Sequence, residues 1–165
     1  MERIAVYPAS LDPIHFGHID IALRASKIFD QVIVAIYANP KKNVLFPLEQ
    51  RVALAQQCFA DERRISVVSY SGLTVNFARQ VGALALIRGL RVFGDFEFEF
   101  RMGMANKKLA PDVETVAILA DEKYMYISSS TVREVGELGG DLSKMVPPHV
   151  AQAITERYEF LRQSS

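Results

Sequence analysis

Hydrophobic positions along this chain fall into short apolar runs separated by stretches with helical spacing, and the two alternate through the sequence. Ile4-Ala5-Val6-Tyr7, within Arg3 to Pro8, is an apolar run ended by proline and predicts a buried strand. Ile19, Ala22, Leu23 and Ile28 then recur at helical spacing, with Asp20, Arg24 and Lys27 largely opposite. That pattern predicts an amphipathic helix from Gly17 to about Phe29. Gln31 to Tyr37 is β-branched and almost continuously apolar, as in strands buried on both faces of a helix-covered parallel sheet. A second helix is expected from Leu48 to about Phe59, with Glu49 in its first turn, where the dipole favours an acid. Ile65 to Tyr70 reads as a third strand and Thr74 to Val81 as a short helix closed by Gly82. Ala83 to Ile87 reads as a fourth strand, running into Arg88-Gly89-Leu90-Arg91.

Phe93 to Leu109 is ambiguous. Phe96-Glu97-Phe98-Glu99-Phe100-Arg101 alternates with the strand period, but the length of the segment and its place between two strand candidates favour a helix. Such a helix carries two apolar stripes, one of Phe93, Phe96, Phe100 and Met104, the other of Phe98, Met102, Ala105 and Leu109. Either both stripes are core, or one covers a ligand or another subunit. Val113 to Leu119 is a fifth strand candidate, and Ser128-Ser129-Ser130-Thr131 opens another helix that Gly139-Gly140-Asp141 breaks. Pro147-Pro148 leads into a last helix from about His149 to Leu161.

Five strands alternating with helices predict an α/β fold: a doubly wound five-stranded parallel sheet with right-handed crossovers and a C-terminal helix, one domain over residues 1–165. Ligands of such sheets bind beyond the carboxyl ends of the strands, where strand order reverses. Ser10, His15 and His18 follow strand one, Lys42 follows strand two, Arg88 and Arg91 follow strand four, and the serine run follows strand five. One rim is therefore expected to collect the unusual polar residues.

Composition narrows the partners. Lys plus Arg and Asp plus Glu number 19 each, so net charge argues for neither a nucleic acid nor a membrane, and an anion site must be a local cluster. The single cysteine, Cys58, excludes an internal disulfide and reads as a small core residue before a reactive thiol. With no basic-then-apolar leader, and apolar runs far shorter than the ~20 residues of a membrane helix, a cytoplasmic location is expected.

Tyr7-Pro8-Ala9-Ser10-Leu11-Asp12-Pro13-Ile14-His15-Phe16-Gly17-His18 joins the first strand to the first helix. Its two histidines could bind a metal, although the glutamate of a metalloprotease helix and a nearby third ligand are lacking. They could also be structural. Phosphate binding is favoured, because Gly17 and the helix start supply N–H donors beside the imidazoles. Arg88 and Arg91 around Gly89 suit multidentate phosphate recognition, against surface pairing with Asp95, Glu97 or Glu99. The serines are helix caps, at least one of them, or a second anion cradle. Walker A, G-x-G-x-x-G and G-x-S-x-G patterns are absent, and no catalytic triad is evident. Cations and dipoles without a nucleophile or general base suit attack on phosphorus by a substrate that is already an anion.

These pieces resemble the bacterial phosphopantetheine adenylyltransferases nearly end to end. The resemblance rests on Tyr7-Pro8-Ala9-Ser10-Leu11-Asp12-Pro13, Gly17-His18-Ile19-Asp20, Pro40-Lys41-Lys42, Ile87-Arg88-Gly89-Leu90-Arg91, Asp95-Phe96-Glu97 with Glu99, and Ile127-Ser128-Ser129-Ser130-Thr131-Val132-Arg133. It implies a Rossmann-like nucleotidyltransferase fold and adenylyl transfer from ATP to 4′-phosphopantetheine, giving dephospho-coenzyme A and pyrophosphate with Mg2+. It further implies His18 as transition-state stabiliser, with Lys42, Arg91 and Ser129 also catalytic. Ser10, Lys42, Thr74 and Arg88 would bind the acceptor, with Met102, Ala105, Asn106 and Leu109 lining its pantetheine channel. ATP would meet Ser10, Leu11, His18, Gly89, Leu90, Arg91 and Glu99, together with Tyr124, Met125, Tyr126, Ile127, Ser128, Ser129 and Ser130. A homohexamer built as a dimer of trimers is implied as well. The family usually has glycine at Ala9, phenylalanine at Leu11 and threonine at His15; the histidine resembles other superfamily members, including class I aminoacyl-tRNA synthetases. A nicotinamide or nicotinate mononucleotide adenylyltransferase, a cytidylyltransferase of the glycerol-phosphate type and a non-catalytic ATP-binding module are the competing readings.

Overall fold

The apolar runs pair into one parallel sheet whose strand order doubles back on itself. A computed structural model describes residues 1–164; Ser165, the end of the domain expected over 1–165, lies outside the described residues. The strands are β1 (Ile4–Ala9), β2 (Gln31–Tyr37), β3 (Ile65–Tyr70), β4 (Ala85–Leu90) and β5 (Glu114–Leu119), in the order β3-β2-β1-β4-β5. The helices are α1 (Phe16–Ala25), α2 (Leu48–Cys58), α3 (Thr74–Gln80), α4 (Phe93–Leu109), α5 (Ser129–Glu137) and α6 (Pro148–Gln163). The chain winds outward from β1 to β3, returns beside β1 as β4 and winds the other way, as the doubly wound reading requires. None of the described helices is long and apolar enough to cross a membrane.

Strand residues alternate between two cores, because successive side chains leave a strand on opposite faces. Ala5 and Tyr7, Val32, Val34 and Ile36, and Ala85 and Ile87 enter the larger core, with Ile21 of α1, Leu54 of α2, Val132 of α5 and Ile154 of α6. Val6, Ala35 and Leu86 enter the smaller one, closed by Val75 and Ala78 of α3.

One seam of the sheet is short. β1 with β2, β2 with β3 and β4 with β5 each share six residue pairs. β1 with β4 shares two, Ala5 with Ala85 and Val6 with Leu86. Pro8 carries no N–H to continue that ladder, so the switch-point strands separate towards their carboxyl ends. The separation opens the crevice in which the site lies.

Several boundaries differ from expectation for local reasons. α1 ends at Ala25 rather than near Phe29. Ser26 caps it, its hydroxyl donating to Leu23 O at 2.8 Å, and Lys27 and Ile28 N–H turn back three residues to Arg24 O and Ala25 O. β4 starts at Ala85 rather than Ala83, because Ala83 N–H donates to Ala78 O and completes the cap of α3. Gly82, at φ 70°, supplies the left-handed residue that this cap needs. β4 then runs on to Leu90, so Arg88 is a strand residue rather than part of the following loop. β5 starts at Glu114, after a buried Val113. α4 is a helix throughout, but no residue of it is buried, so neither of its apolar stripes is core in this chain.

Candidate active site

The crevice between the ends of β1 and β4 is a cleft of about 680 Å³ that draws its wall from all five strand-to-helix connections. Ser10, Leu11, His15 and His18 line it from the first connection, Lys42 from the second and Thr74 from the third. Arg88, Gly89, Arg91 and Glu99 line it from β4 and α4, and Tyr124 with residues 128–130 from beyond β5. The single rim anticipated from strand order is therefore present.

Its floor is the start of α1. His15 is the N-cap: its Nδ1 accepts from Gly17 N–H at 3.0 Å, while its own backbone N–H donates to His18 Nδ1 at 3.2 Å. This reciprocal pattern satisfies donors that a helix start otherwise leaves open. The two rings stack with centroids 3.7 Å apart. A Cβ at Gly17 would stand 2.8 Å from His15 Cε1, so only glycine lets that ring fold over the helix start. Both Nδ1 atoms accept, which leaves the ring proton on Nε2 in each case. Desolvation and the charge of Arg91 push His15 down to about 3. Desolvation also holds His18 well below the ordinary imidazole value, with His15, Arg91 and Lys42 adding to it. His18 is thus a neutral N–H donor. Leu11, buried beside this floor, has φ 48°, a left-handed conformation that costs a non-glycine residue about 1–2 kcal/mol.

The arginines have two engagements at once. Arg88 forks onto Glu99, Nε to Oε2 at 2.6 Å and Nη2 to Oε1 at 2.8 Å, with Nη1 3.4 Å from Pro8 O. Desolvation works against that cation, but the bonds and charge of Glu99 outweigh it and hold its pKa above the ordinary value. Arg91 meets Asp95 through its backbone N–H at 3.0 Å and Nε at 3.3 Å, and its Nη1 donates to Ile127 O at 3.0 Å. The surface pairing set against phosphate recognition is therefore real for both residues, yet it coexists with a place in the cleft. Lys42 differs: among the described residues its ammonium enters no ion pair.

The serine run divides its work. Ser128 is the N-cap of α5 and accepts from Thr131 N–H at 3.1 Å, as expected of at least one serine. Ser129 donates to Pro13 O at 2.9 Å, tying α5 to the β1 loop, and Ser130 accepts from Arg133 at 3.3 Å. The N–H groups of Ser129 and Ser130, ahead of the capped Thr131, have no acceptor within the helix and stand beside the cleft, where an anion would satisfy them.

Of the other residues implied by the resemblance, all but Thr74 stand outside the cleft wall. Leu90 and Met125 line a second, apolar hollow of about 400 Å³ with Val92, Phe93, Phe96 and Leu119, which adjoins the cleft at Arg91. Tyr126 is exposed, and Ile127 is wholly buried, contributing its carbonyl. Met102, Ala105, Asn106 and Leu109 lie on α4 outside the cleft wall, Met102 and Leu109 being exposed. Thr74 is in the wall, its hydroxyl 2.9 Å from that of Tyr70. Cys58 lies away from the cleft, 3.5 Å from His149 Nε2, and burial pushes its thiol up to about 12, so it is not a poised thiolate.

Three tyrosines of the wall were not anticipated: Tyr7, Tyr37 and Tyr70. Tyr37 and Tyr70 are the last residues of their strands, so the carboxyl-end rule applied to apolar as well as polar residues would have found them.

The carboxylates at the cleft all have partners: Asp12 accepts from Leu45 and Phe46 N–H, Asp95 pairs with Arg91 and Glu99 with Arg88. Neither imidazole has a free basic nitrogen at Nδ1. The arrangement suits a polyanion and the stabilisation of developing charge, and its carboxylates and Nδ1 atoms are already engaged.

The comparisons agree with that chemistry. The profile of the cytidylyltransferase-like family matches residues 6–135. A protein of Roseiflexus sp. (strain RS-1) named phosphopantetheine adenylyltransferase is 49% identical over 155 residues, covering 94% of this chain and 97% of its own. One of the same name from Desulfitobacterium hafniense (strain Y51) is 45% identical over 156 residues, covering 94% and 96%. A solved structure from Vibrio parahaemolyticus, provisionally named a nicotinate-nucleotide adenylyltransferase, superposes with a TM-score of 0.71 over 94% of this chain and 99% of that one. At 18% identity it speaks for the fold alone. On its sequence and on the cleft at its switch point, the chain belongs to the phosphopantetheine adenylyltransferases of the cytidylyltransferase-like family.

Proposed function

We propose that this protein transfers the adenylyl group of ATP to 4′-phosphopantetheine, releasing pyrophosphate and dephospho-coenzyme A. A phosphate oxygen of the acceptor forms a bond to the α-phosphorus while the bond from that phosphorus to the pyrophosphate oxygen breaks. The attacking group is already an anion, so no proton has to be removed. The observation that carries the reading is the pairing of this demand with the site: one crevice gathers Lys42, Arg88, Arg91 and a neutral donor at His18, and its carboxylates are all engaged.

In this reading Ser10, Lys42 and Arg88 hold the acceptor phosphate. His18 Nε2–H donates to the α-phosphate as charge shifts in the transition state, and Arg91 with the open N–H groups at the start of α5 holds the rest of the triphosphate. Such a site works by alignment and charge, which for phosphoryl chemistry is most of catalysis. Mg2+ would come to this site with the triphosphate, since the carboxylates of the cleft are each taken by a protein donor and Mg2+ binds readily through substrate phosphates. When bound there it would neutralise phosphate charge.

The test is pyrophosphate release with ATP or CTP offered against 4′-phosphopantetheine, nicotinate and nicotinamide mononucleotide, and glycerol 3-phosphate. Release is expected with ATP and 4′-phosphopantetheine. None with that pair sinks the reading, and release with a mononucleotide or with CTP replaces it by the corresponding alternative.

Assembly as a dimer of trimers is part of the same proposal. α4 supports it, with no buried residue and with Phe93, Phe96, Phe98 and Phe100 all exposed, an apolar surface that a lone chain would leave in water. Light scattering of the intact protein should return six chain masses; a monomer at assay concentration would remove this part alone.

A further inference from the structure

Arg51 of α2 is 1% exposed, and none of the ion pairs of the described residues includes it. Its guanidinium instead reaches three backbone carbonyls of three separate segments. Nε donates to Phe46 O at 3.2 Å, and Nη1 donates to Ser10 O at 2.8 Å and to Tyr37 O at 3.0 Å. Tyr37 ends β2 and Phe46 stands two residues before α2, so these two carbonyls bracket the connection that bears Lys42. The third carbonyl belongs to Ser10, in the connection that follows the neighbouring strand β1.

Asp12 works on the same connection from the other side. Its carboxylate is buried and accepts Leu45 N–H at 2.8 Å and Phe46 N–H at 2.9 Å. Between the pinned ends, residues 41–43 are exposed and rest on none of these bonds. The place of Lys42 in the cleft is therefore inherited from its ends.

A buried cation is an expensive way to fill space, and an apolar side chain of similar length would pack there with less desolvation. What an apolar side chain cannot do is bond the carbonyls of two site-bearing loops at once. Lysine, whose donors all leave one terminal nitrogen, lacks the Nε–H that holds Phe46 O from further back along the side chain. We infer that Arg51 is a positioning residue that sets where Lys42 stands relative to Ser10. The inference rests on the adenylyl-transfer reading for the identity of the acceptor.

A double-mutant cycle tests it. Arg51→Met should lower kcat/KM for 4′-phosphopantetheine by about 10- to 100-fold, the range expected when a binding group moves by about 1 Å, and Arg51→Lys should lower it by less. The KM for ATP should change much less. In a protein that already carries Lys42→Ala, Arg51→Met should add no more than about 2-fold, since the residue it positions is gone. Dissociation constants for 4′-phosphopantetheine from calorimetry should show the same coupling. Equal losses with and without Lys42→Ala would show that Arg51 does not act through Lys42 and overturn the inference. Should Arg51→Met fail to fold by circular dichroism, Arg51→Lys goes through the same cycle with the same deciding outcomes. Absence of pyrophosphate release from the unmodified protein would instead strike the reading of function, and the calorimetric cycle would still decide the role of Arg51.

Discussion

Replacing His18 with alanine should lower kcat by roughly 30- to 1000-fold, about 2–4 kcal/mol of barrier, with a smaller change in KM. The asymmetry follows from the role. A donor that meets the α-phosphate most strongly as charge shifts stabilises the transition state more than the bound substrate, so its loss falls on kcat. Near-normal turnover in His18→Ala would remove the residue from that role. The tautomer sharpens the expectation. Protonating His18 would put a proton on Nδ1, which already accepts from His15 N–H at 3.2 Å, beside His15 and facing Arg91 and Lys42. The working form is therefore the neutral ring, and kcat between pH 5 and 8 should carry no inflection that His18→Ala abolishes. An inflection near pH 6.5 that disappears in the variant would make the donor an imidazolium. Stability responds in the matching direction. Both imidazoles lie below their unfolded value of 6.5, so the unfolded chain binds more protons on acidification. Their contribution is present above about pH 6.5 and is lost as pH falls towards the His15 value of about 3.

The fold was legible because the signals that specify it are local. β-branched runs at Gln31 to Tyr37 and Ile65 to Tyr70 have no competing helical reading, and each became a strand with those limits. The helix ends were less legible, since caps are settled by single bonds. Ser26 turning its hydroxyl back to Leu23, and Ala83 bonding to Ala78, moved two boundaries that periodicity alone placed elsewhere. α4 shows a different limit. Its alternation of phenylalanine and glutamate is strand-like, and its helical stripes cover none of the core. A helix none of whose residues is buried leaves periodicity no inward face to mark.

The site was legible to the extent that topology collects strand ends. Ser10, His18, Lys42, Arg88, Arg91 and the serines could be placed on one rim before any contact was known, because all follow strands of one parallel sheet. The bonds behind them could not. Arg51 sits in a helical pattern where a charge ordinarily faces water, and nothing in the order of residues marks three carbonyls converging on it. His15 is the converse: prominent as half of a histidine pair, it caps the helix and stacks on His18. Three-dimensional convergence of backbone groups is invisible to periodicity, and it decides which polar residues bind and which position.

Arg88→Ala should raise the KM for 4′-phosphopantetheine by roughly 30- to 1000-fold, about 2–4 kcal/mol, the larger of its effects. Two losses add in this variant. The acceptor phosphate loses a cation, and Glu99, whose side chain is 14% exposed, loses both bonds of the fork at 2.6 and 2.8 Å. A carboxylate left unpaired there repels an incoming phosphate, so the penalty exceeds that of the missing contact alone. Arg88→Lys separates the two. It keeps the positive charge but cannot reproduce the planar fork, so it should recover part of the affinity while Glu99 remains poorly held. Glu99→Gln in the Arg88→Ala background removes the stranded charge and should restore part of the loss without restoring the cation. A change confined to the KM for ATP would reverse the assignment and make Arg88 a nucleotide contact. Equal rises for both substrates would mean that the Arg88–Glu99 pair holds the seam between β4 and α4, on which both ligands depend.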